Sequence, residues 1–151
     1  MVAAGAVRAR HTMIAITSKS RYAVRALVEL ARLGATPGGR PVPIAELARR
    51  RDIPLQFLEQ LFATLRRAGM LQSQRGVKGG YTFVKDPSEV TVLEVVELLD
   101  GEVGGELAAD PDRQELWPRA VAALREVLTA TTIADLVEQE SKAAGTQMYH
   151  I

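Results

Sequence analysis

The sequence contains no cysteine among its 151 residues. Disulfide bonds, thiolate metal sites, redox-active thiols and cysteine-ligated iron–sulfur clusters are therefore excluded. Histidine is also scarce, because only His11 and His150 are present and both lie near the ends of the chain. No nucleophile has an evident base beside it, so enzymatic catalysis is disfavoured and no cofactor is predicted.

Long apolar runs are missing as well. The N-terminal stretch MVAAGAVRARHTMIAI is apolar in patches, but Arg8, Arg10 and His11 interrupt it before a signal-peptide core could form. Since no other run approaches membrane-spanning length, we expect no membrane association and a cytoplasmic location. Residues 1–12 are interpreted as a disordered arm or a mis-set start, because Met13 directly precedes the first patterned segment.

Acidic residues are few in the first half of the chain. Residues 1–87 hold 15 Lys and Arg against 5 Asp and Glu, whereas residues 88–151 hold 4 against 13. The net charge of +1 therefore conceals a basic half of +10 and an acidic half of −9. A polyanionic partner is expected to bind the basic half.

The basic half has the spacing of a helix-turn-helix. Apolar residues recur at helical intervals from a cap at Thr17 or Ser18 to about Leu33, and a short second helix is predicted over 44–50. A third helix is predicted to begin with Pro54 in its first turn. Its inward-facing residues are expected to be Leu55, Leu58, Leu61, Phe62 and Leu65.

A basic hairpin is predicted after the third helix. Two short strand-like segments, 70–74 and 81–84, flank the tip sequence RGVKGG, whose Arg and Lys can follow a phosphate backbone. A helix with outward Gln and Glu, which can read base edges, followed by such a wing predicts sequence-specific binding to double-stranded DNA. The alternative is a solvated basic face on a protein-interaction module.

The acidic half is predicted to be helical and to form a dimer contact. Helices are expected over 91–99, over 114–128 and from a Thr132–Asp135 capping pair to about Glu140, with a loop over 101–111. A winged-helix domain is largely complete by residue 87, so the apolar stripe of the 114–128 helix needs a cover, and a two-fold partner is the economical one. A homodimer also matches a palindromic operator. The predicted dimerisation residues are Trp117, Val121, Leu124, Val127 and Leu128.

Three segments together resemble the Rrf2 family of bacterial winged-helix transcriptional regulators. They are TSKSRYAVRALVELA at 17–31, LEQLFATLRRAGML at 58–71 and RGVKGGY at 75–81. The resemblance implies a mainly α-helical fold with a small β-hairpin wing: a winged helix-turn-helix domain plus a long C-terminal dimerisation helix. It also implies DNA contacts by Ser18, Lys19, Arg21, Tyr22, Gln56, Phe57, Glu59, Gln60, Arg75 and Lys78.

The chain departs from that family's pattern in three places. Ser20 stands where members often have Gly, and Pro54 stands where they often have a capping Ser. In the segment GEVGGELAADPDRQE at 101–115, cluster-binding members carry three cysteines and this chain carries none. Without thiolates, sensing through an iron–sulfur cluster, including nitric-oxide sensing, is excluded.

The cysteine-free remainder resembles the family's repressors of cysteine metabolism, through residues 114–136 and the terminal MYHI. This resemblance implies a homodimeric repressor of sulfur-assimilation and cysteine-biosynthesis genes whose partner is cysteine synthase, the O-acetylserine thiol-lyase. The synthase would bind the C-terminal tail through Tyr149, His150 and Ile151. Two alternatives stay open: a cluster-free regulator of another small ligand, and an interaction module without operator reading.

The predicted organisation has four parts. Residues 1–12 form the arm, residues 13–87 form the winged helix-turn-helix domain, residues 88–144 form the helical dimerisation region and residues 145–151 form the tail.

Overall fold

The computed structural model describes residues 16–109 and 114–149, and these form a mainly helical fold with one two-stranded antiparallel hairpin. The predicted fold class is confirmed. The α-helices are α1 (Ser18–Arg32), α2 (Ile44–Arg51), α3 (Leu55–Arg67), α4 (Val92–Asp100), α5 (Gly105–Ala108), α6 (Leu116–Ala130) and α7 (Ile133–Tyr149). The strands are β1 (Leu71–Gln74) and β2 (Gly80–Phe83), and a 3-10 turn covers Pro87–Glu89.

Helices α2 and α3 are joined by a tight turn. Helix α2 ends at Arg51, and its C-cap Asp52 has a left-handed backbone (φ 52°), a conformation that Asp tolerates better than most residues. The buried Ile53 then donates its backbone N–H to the Ala48 carbonyl at 2.9 Å. Pro54 is the N-cap of α3, one residue before the helix begins rather than within its first turn as predicted. This turn fixes α3 against α1 and α2.

The wing is anchored to the loop that precedes α2. Strands β1 and β2 pair in the register Leu71 with Phe83 and Gln74 with Gly80. Val42 adds an isolated antiparallel bridge to Tyr81, with backbone hydrogen bonds of 3.0 and 2.8 Å. Only glycine fits at position 80, because a Cβ there would lie 2.3 Å from the Val42 carbonyl carbon. The loop before α2 is therefore attached to the wing by backbone hydrogen bonds.

One continuous core crosses the boundary predicted at residue 87. Ala23, Leu27 and Phe62 from the first half share this core with Val95 of α4 and Ile133 of α7, and all five side chains are almost fully buried. Helix α1 packs against both α4 and α7. The start of α7 is fixed by a Thr132–Asp135 capping pair, with reciprocal hydrogen bonds of 2.9 and 3.0 Å, as predicted.

Two predictions about the acidic half are wrong. The segment predicted as a loop over 101–111 contains the one-turn helix α5. The last helix does not end near Glu140 but continues to Tyr149, so residues 145–149 of the predicted tail have a helical backbone. The sequence shows no clear apolar stripe beyond Glu140, because residues 141–149 mix polar side chains with alanine and glycine, yet they contain no proline that would end a helix.

Candidate nucleic-acid interface

The outward face of α3 is polar. Gln56, Glu59 and Gln60 are exposed, as predicted for a reader face. Amide and carboxylate side chains in these positions can hydrogen-bond to base edges in the major groove, which is wide enough to admit an α-helix. The opposite face packs into the core through Leu58, Leu61, Phe62 and Leu65.

Two residues of α3 lie differently from the predicted pattern. Leu55 was expected to face inward, but its side chain is 41% exposed. Helical side chains lean toward the N-terminus, so the side chain of the first residue projects beyond the packed end of the helix. Phe57 is half-buried and packs against the core, which makes it a packing residue as well as a predicted DNA contact.

Tyr22 connects the start of α1 to the start of α3. Its ring meets Phe57 edge to face, with centroids 5.6 Å apart and an interplanar angle of 86°. The guanidinium of Arg25 lies 5.5 Å from the centre of the Tyr22 ring and donates a 2.5 Å hydrogen bond to the Arg51 carbonyl. Arg25 was not predicted as a site residue, although its spacing of three from Tyr22 was a usable signal.

The other predicted residues of α1 are exposed beside this aromatic pair. Ser18, Lys19 and Arg21 lie on the surface, and a shallow groove lined by Ser18, Arg21, Tyr22 and Arg25 opens between them. A cationic groove next to the N-terminal end of α3 can take a phosphate group while α3 enters the major groove. The predicted α1 and α3 residues therefore belong to one surface.

The start of α1 is held by an acidic residue from α4. Thr17 caps α1, and both its backbone N–H and its hydroxyl donate to the Asp100 carboxylate, at 2.9 and 2.6 Å. The side chain of Ser20, which departs from the family pattern, is buried and bonded to the same carboxylate. Burial works against ionisation of Asp100, but the hydrogen bonds from Ser20 and Thr17 outweigh it and lower its pKa.

The wing presents its tip residues to solvent. A hydrogen bond of 3.0 Å from the Gly79 N–H to the Gly76 carbonyl closes the tip and places Val77 and Lys78 at its corners. Arg75, Val77 and Lys78 are exposed, and Arg66 of α3 reaches Ser73 of β1 at 3.4 Å. The two predicted wing cations are thus free of the core and can approach a phosphate backbone.

The predicted dimerisation residues divide into two groups. Trp117 is 39% exposed and Val127 is 62% exposed, and Leu116, which was not predicted, is 58% exposed. Leu124 and Leu128 are half-buried. Val121, by contrast, is only 4% exposed, and it packs so closely on Gly104 that a Cβ there would lie 2.5 Å from its Cγ1. Periodicity identified the stripe of α6, but one of its members is covered by its own chain.

The segment 101–115 after α4 contains no cysteine. Val103 of this segment lies beside an ion pair of 2.7 Å between Glu97 of α4 and Arg125 of α6. Arg125 also donates a hydrogen bond of 3.4 Å to the Val103 carbonyl. Within residues 16–109 and 114–149, no three His, Cys, Asp or Glu side chains are grouped closely enough to hold a metal ion. Since the whole sequence lacks cysteine, an iron–sulfur cluster does not fit this chain.

The predicted partner-binding residues lie at the edge of the described chain. The backbone of Tyr149 lies in the last turn of α7, whereas His150 and Ile151 lie outside the described residues.

The sequence that forms this helix-turn-helix and basic wing matches the model of a family of transcriptional regulators. The model of the family Rrf2, described as "Iron-dependent Transcriptional regulator", matches residues 16–139. The chain belongs to the Rrf2 family. It is therefore a transcriptional regulator of that family and, like its relatives, not an enzyme.

Individual Rrf2 relatives agree in sequence and in structure. The transcriptional regulator CymR of Bacillus subtilis (strain 168) is 32% identical over 139 residues, which cover 90% of this chain and 99% of CymR. A solved structure described as CymR (YrzC), the global cysteine regulator of B. subtilis, has a TM-score of 0.71 and 33% identity, covering 84% of this chain and 98% of that one. The structure of T. potens IscR has a TM-score of 0.72 and 29% identity, over 86% and 90% of the two chains.

Among the described residues, no helix combines the length and the apolar character that crossing a membrane requires.

Proposed function

We propose that this chain is a homodimeric, cluster-free repressor of sulfur-assimilation and cysteine-biosynthesis genes, whose DNA affinity is modulated by cysteine synthase bound to its C-terminal tail. The observation that carries the proposal is an exposed polar face on α3, a cationic groove on α1 and a basic wing, in a chain without a single cysteine. That combination separates this Rrf2 member from cluster-dependent sensing. The likeness to a protein described as a global cysteine regulator supports the choice of genes.

Genome-wide immunoprecipitation of the protein with its bound DNA tests the choice of genes. We expect enrichment of palindromic sites upstream of genes for sulfur uptake and cysteine synthesis, with half-sites about one helical turn apart. Transcripts of those genes should rise when the protein is deleted. Enrichment upstream of unrelated genes, or a fall of those transcripts on deletion, would contradict the proposal.

The apolar surface of α6 supports the dimer. Leu116, Trp117 and Val127 are exposed on one helix. Leu128 of the same helix lines a mainly apolar groove with Val24 of α1 and Val92 and Val96 of α4, and the other lining residues are Ile16, Ser20, Arg21 and Arg25. A second copy of the chain would remove this surface from water. Since the buried centres of stable interfaces are apolar and enriched in aromatic side chains such as Trp, we place the dimer contact here, without Val121.

Light scattering on the purified protein tests the dimer. The wild type should have twice the mass of one chain, and Val127→Asp should shift it to the monomer. Thr129→Asp is a matched control, because Thr129 is also exposed but lies two positions further along α6, on a different face. Equal masses for the two variants would remove Val127 from the interface.

The tail contact is proposed for Tyr149, His150 and Ile151. A terminal carboxylate next to an aliphatic side chain can occupy a pocket built for an amino acid, and recognition of both groups makes such binding sensitive to any extension. Calorimetric titration of cysteine synthase with the wild type, with a variant lacking Ile151 and with a variant carrying one Gly after Ile151 tests it. We expect binding only by the wild type, competition by O-acetylserine and unchanged DNA binding by the variants. Undiminished binding by the truncated variant would refute the tail contact.

The proposal also requires a protein without iron. We expect anaerobically purified protein to be colourless, with no stoichiometric iron, and to keep its DNA affinity after exposure to air or nitric oxide. Stoichiometric iron would refute the cluster-free mechanism, and it would direct attention to carboxylate and imidazole ligands instead.

A further inference from the structure

A second basic groove lies on the wing, and none of its described lining residues belongs to α3. It is formed between the loop that precedes α2 and the hairpin, and its size is about 400 Å³. Arg40 contributes a cation from the loop and Lys78 contributes one from the wing tip. Pro41 and Pro43 of the loop and Val77 of the tip add apolar surface, and none of the described lining residues is acidic. The groove thus combines positive charge with an apolar floor.

The two walls of this groove are held at a fixed separation by the backbone. The Val42–Tyr81 bridge joins the loop to β2, and both of its hydrogen bonds are 3.0 Å or shorter. Gly80 allows the loop and strand β2 to touch at this point, since any side chain at position 80 would collide with the backbone of Val42. Arg40 lies in the loop, two residues before the bridge, so the bridge fixes its position relative to the wing.

We propose that this groove binds a sugar–phosphate strand of DNA, with Arg40 and Lys78 on phosphate oxygens and the surfaces of Pro41, Pro43 and Val77 against the deoxyribose. The complementary chemistry supports this occupant, because a nucleic-acid strand alternates anionic phosphates with weakly polar sugars. The groove extends the contact of the wing from its tip to its base. Such a contact positions the protein on the duplex and carries no sequence information directly. The inference rests on the proposed DNA-binding function.

The test compares Arg40→Ala with the wild type by fluorescence anisotropy on two duplexes at several salt concentrations. One duplex is an operator selected by the wild-type protein from a random-sequence pool, and the other is a shuffled duplex of equal length and composition. We expect the variant to lose about tenfold in affinity for both duplexes and the slope of log K against log salt to become shallower by about one. Lys142→Ala, which removes an exposed cation from α7, is the matched control and should bind like the wild type.

A neutral phosphate analogue locates the contact. Methylphosphonate substitutions placed one at a time along the operator flanks should include a position at which the wild type loses about tenfold and Arg40→Ala loses nothing more. Arg40→Lys keeps the charge and should recover most of the affinity, which guards against an alanine variant that folds poorly. Wild-type affinity and slope for a folded Arg40→Ala, on both duplexes, would overturn the proposal. If the wild type selects no operator, the regulatory function fails, while the shuffled duplex still tests the groove.

Discussion

The hydroxyl of Ser20 donates a hydrogen bond of 2.5 Å to Oδ2 of Asp100, 80 residues further along the chain. Helix α1 has no acidic residue in its own first turn, so α4 supplies the negative charge that its N-terminal end favours. The exposed Ser18, Lys19 and Arg21 stand on this turn. The position of the predicted α1 contacts thus depends on a carboxylate at the far end of α4.

Replacement of Asp100 tests this dependence. Asp100→Ala removes the acceptor of three hydrogen bonds, two donated by Thr17 and one by the buried Ser20. We expect the substitution to lower the free energy of unfolding by about 2 to 3 kcal/mol. Urea denaturation measures the loss. Glu102→Ala, an exposed carboxylate two residues further on, should have little effect. If both variants lose the same stability, the carboxylate of Asp100 does not hold α1.

The stability of the fold should also decline in acid. The pKa values of Asp100 and Glu140 are both lowered, that of Glu140 chiefly by its hydrogen bonds with Arg51. A lowered carboxyl pKa adds stability that is complete above the unfolded value, about 4 for these groups, and that is lost as the pH falls through the folded value. The stability difference between wild type and Asp100→Asn should therefore be constant from pH 6 to about pH 5 and should shrink below about pH 4. A difference that grows on acidification would contradict this assignment.

Gln60 should read a base, whereas Lys78 should hold a phosphate. Gln60→Ala removes an exposed amide from the outward face of α3, so it should relax the preference at one operator position, at a cost of about 1 to 3 kcal/mol. Lys78→Ala should weaken operator and shuffled DNA alike. Binding titrations on single-base operator variants distinguish the two effects. Equal losses on operator and shuffled DNA for Gln60→Ala would refute its role as a base reader.

Arg51 joins the C-terminal helix to the helix-turn-helix. Its guanidinium donates a hydrogen bond of 2.9 Å to the buried Glu29. It also donates one hydrogen bond to each carboxylate oxygen of Glu140 on α7, at 3.0 and 2.8 Å. Arg51→Leu should cost about 2 to 3 kcal/mol, because the buried Glu29 loses its shortest partner and keeps only the longer pairs with Arg32 at 3.2 Å and Arg50 at 3.5 Å. Glu140→Gln should cost about 1 kcal/mol or less, since its side chain is partly exposed.

Chemical denaturation of these two variants and of their double mutant measures the coupling between Arg51 and Glu140. We expect the double mutant to be less destabilised than the sum of the single variants. Lys142→Ala, which breaks an exposed pair with Glu138 on the same helix, is the control and should be nearly neutral. Strict additivity for Arg51→Leu and Glu140→Gln would show that the pair contributes nothing specific.

Local patterns accounted for most of the fold. The N-cap at Thr17, the Thr132–Asp135 pair, the wing hairpin and the buried face of α3 are all set by residues within a few positions of one another. Such short-range signals are legible in a single sequence. The exposed positions of Gln56, Glu59 and Gln60 follow from the same periodicity.

Long-range contacts account for what the sequence did not reveal. The role of Asp100 depends on residues 80 or more positions away, and no local rule connects them. Val121 has the periodicity of an interface residue, but periodicity identifies an apolar face and not the chain that covers it. Likewise, the contact between Phe57 and Tyr22 depends on how α3 packs against α1, and no local pattern connects these two residues.

The shared core limits how this regulator can be taken apart. Val95 and Ile133 fill space beneath α1, so a fragment ending at residue 87 would leave a cavity under the helix that carries Lys19 and Arg21. The DNA-reading half is therefore not a portable module that could be fused to an unrelated effector domain. A sensor domain added by engineering would have to be inserted between Asp100, where α4 ends, and Leu116, where α6 begins. Insertions there keep every helix of the common core, whereas chimeras cut at residue 87 lose Val95 and Ile133 and should be insoluble or poorly folded.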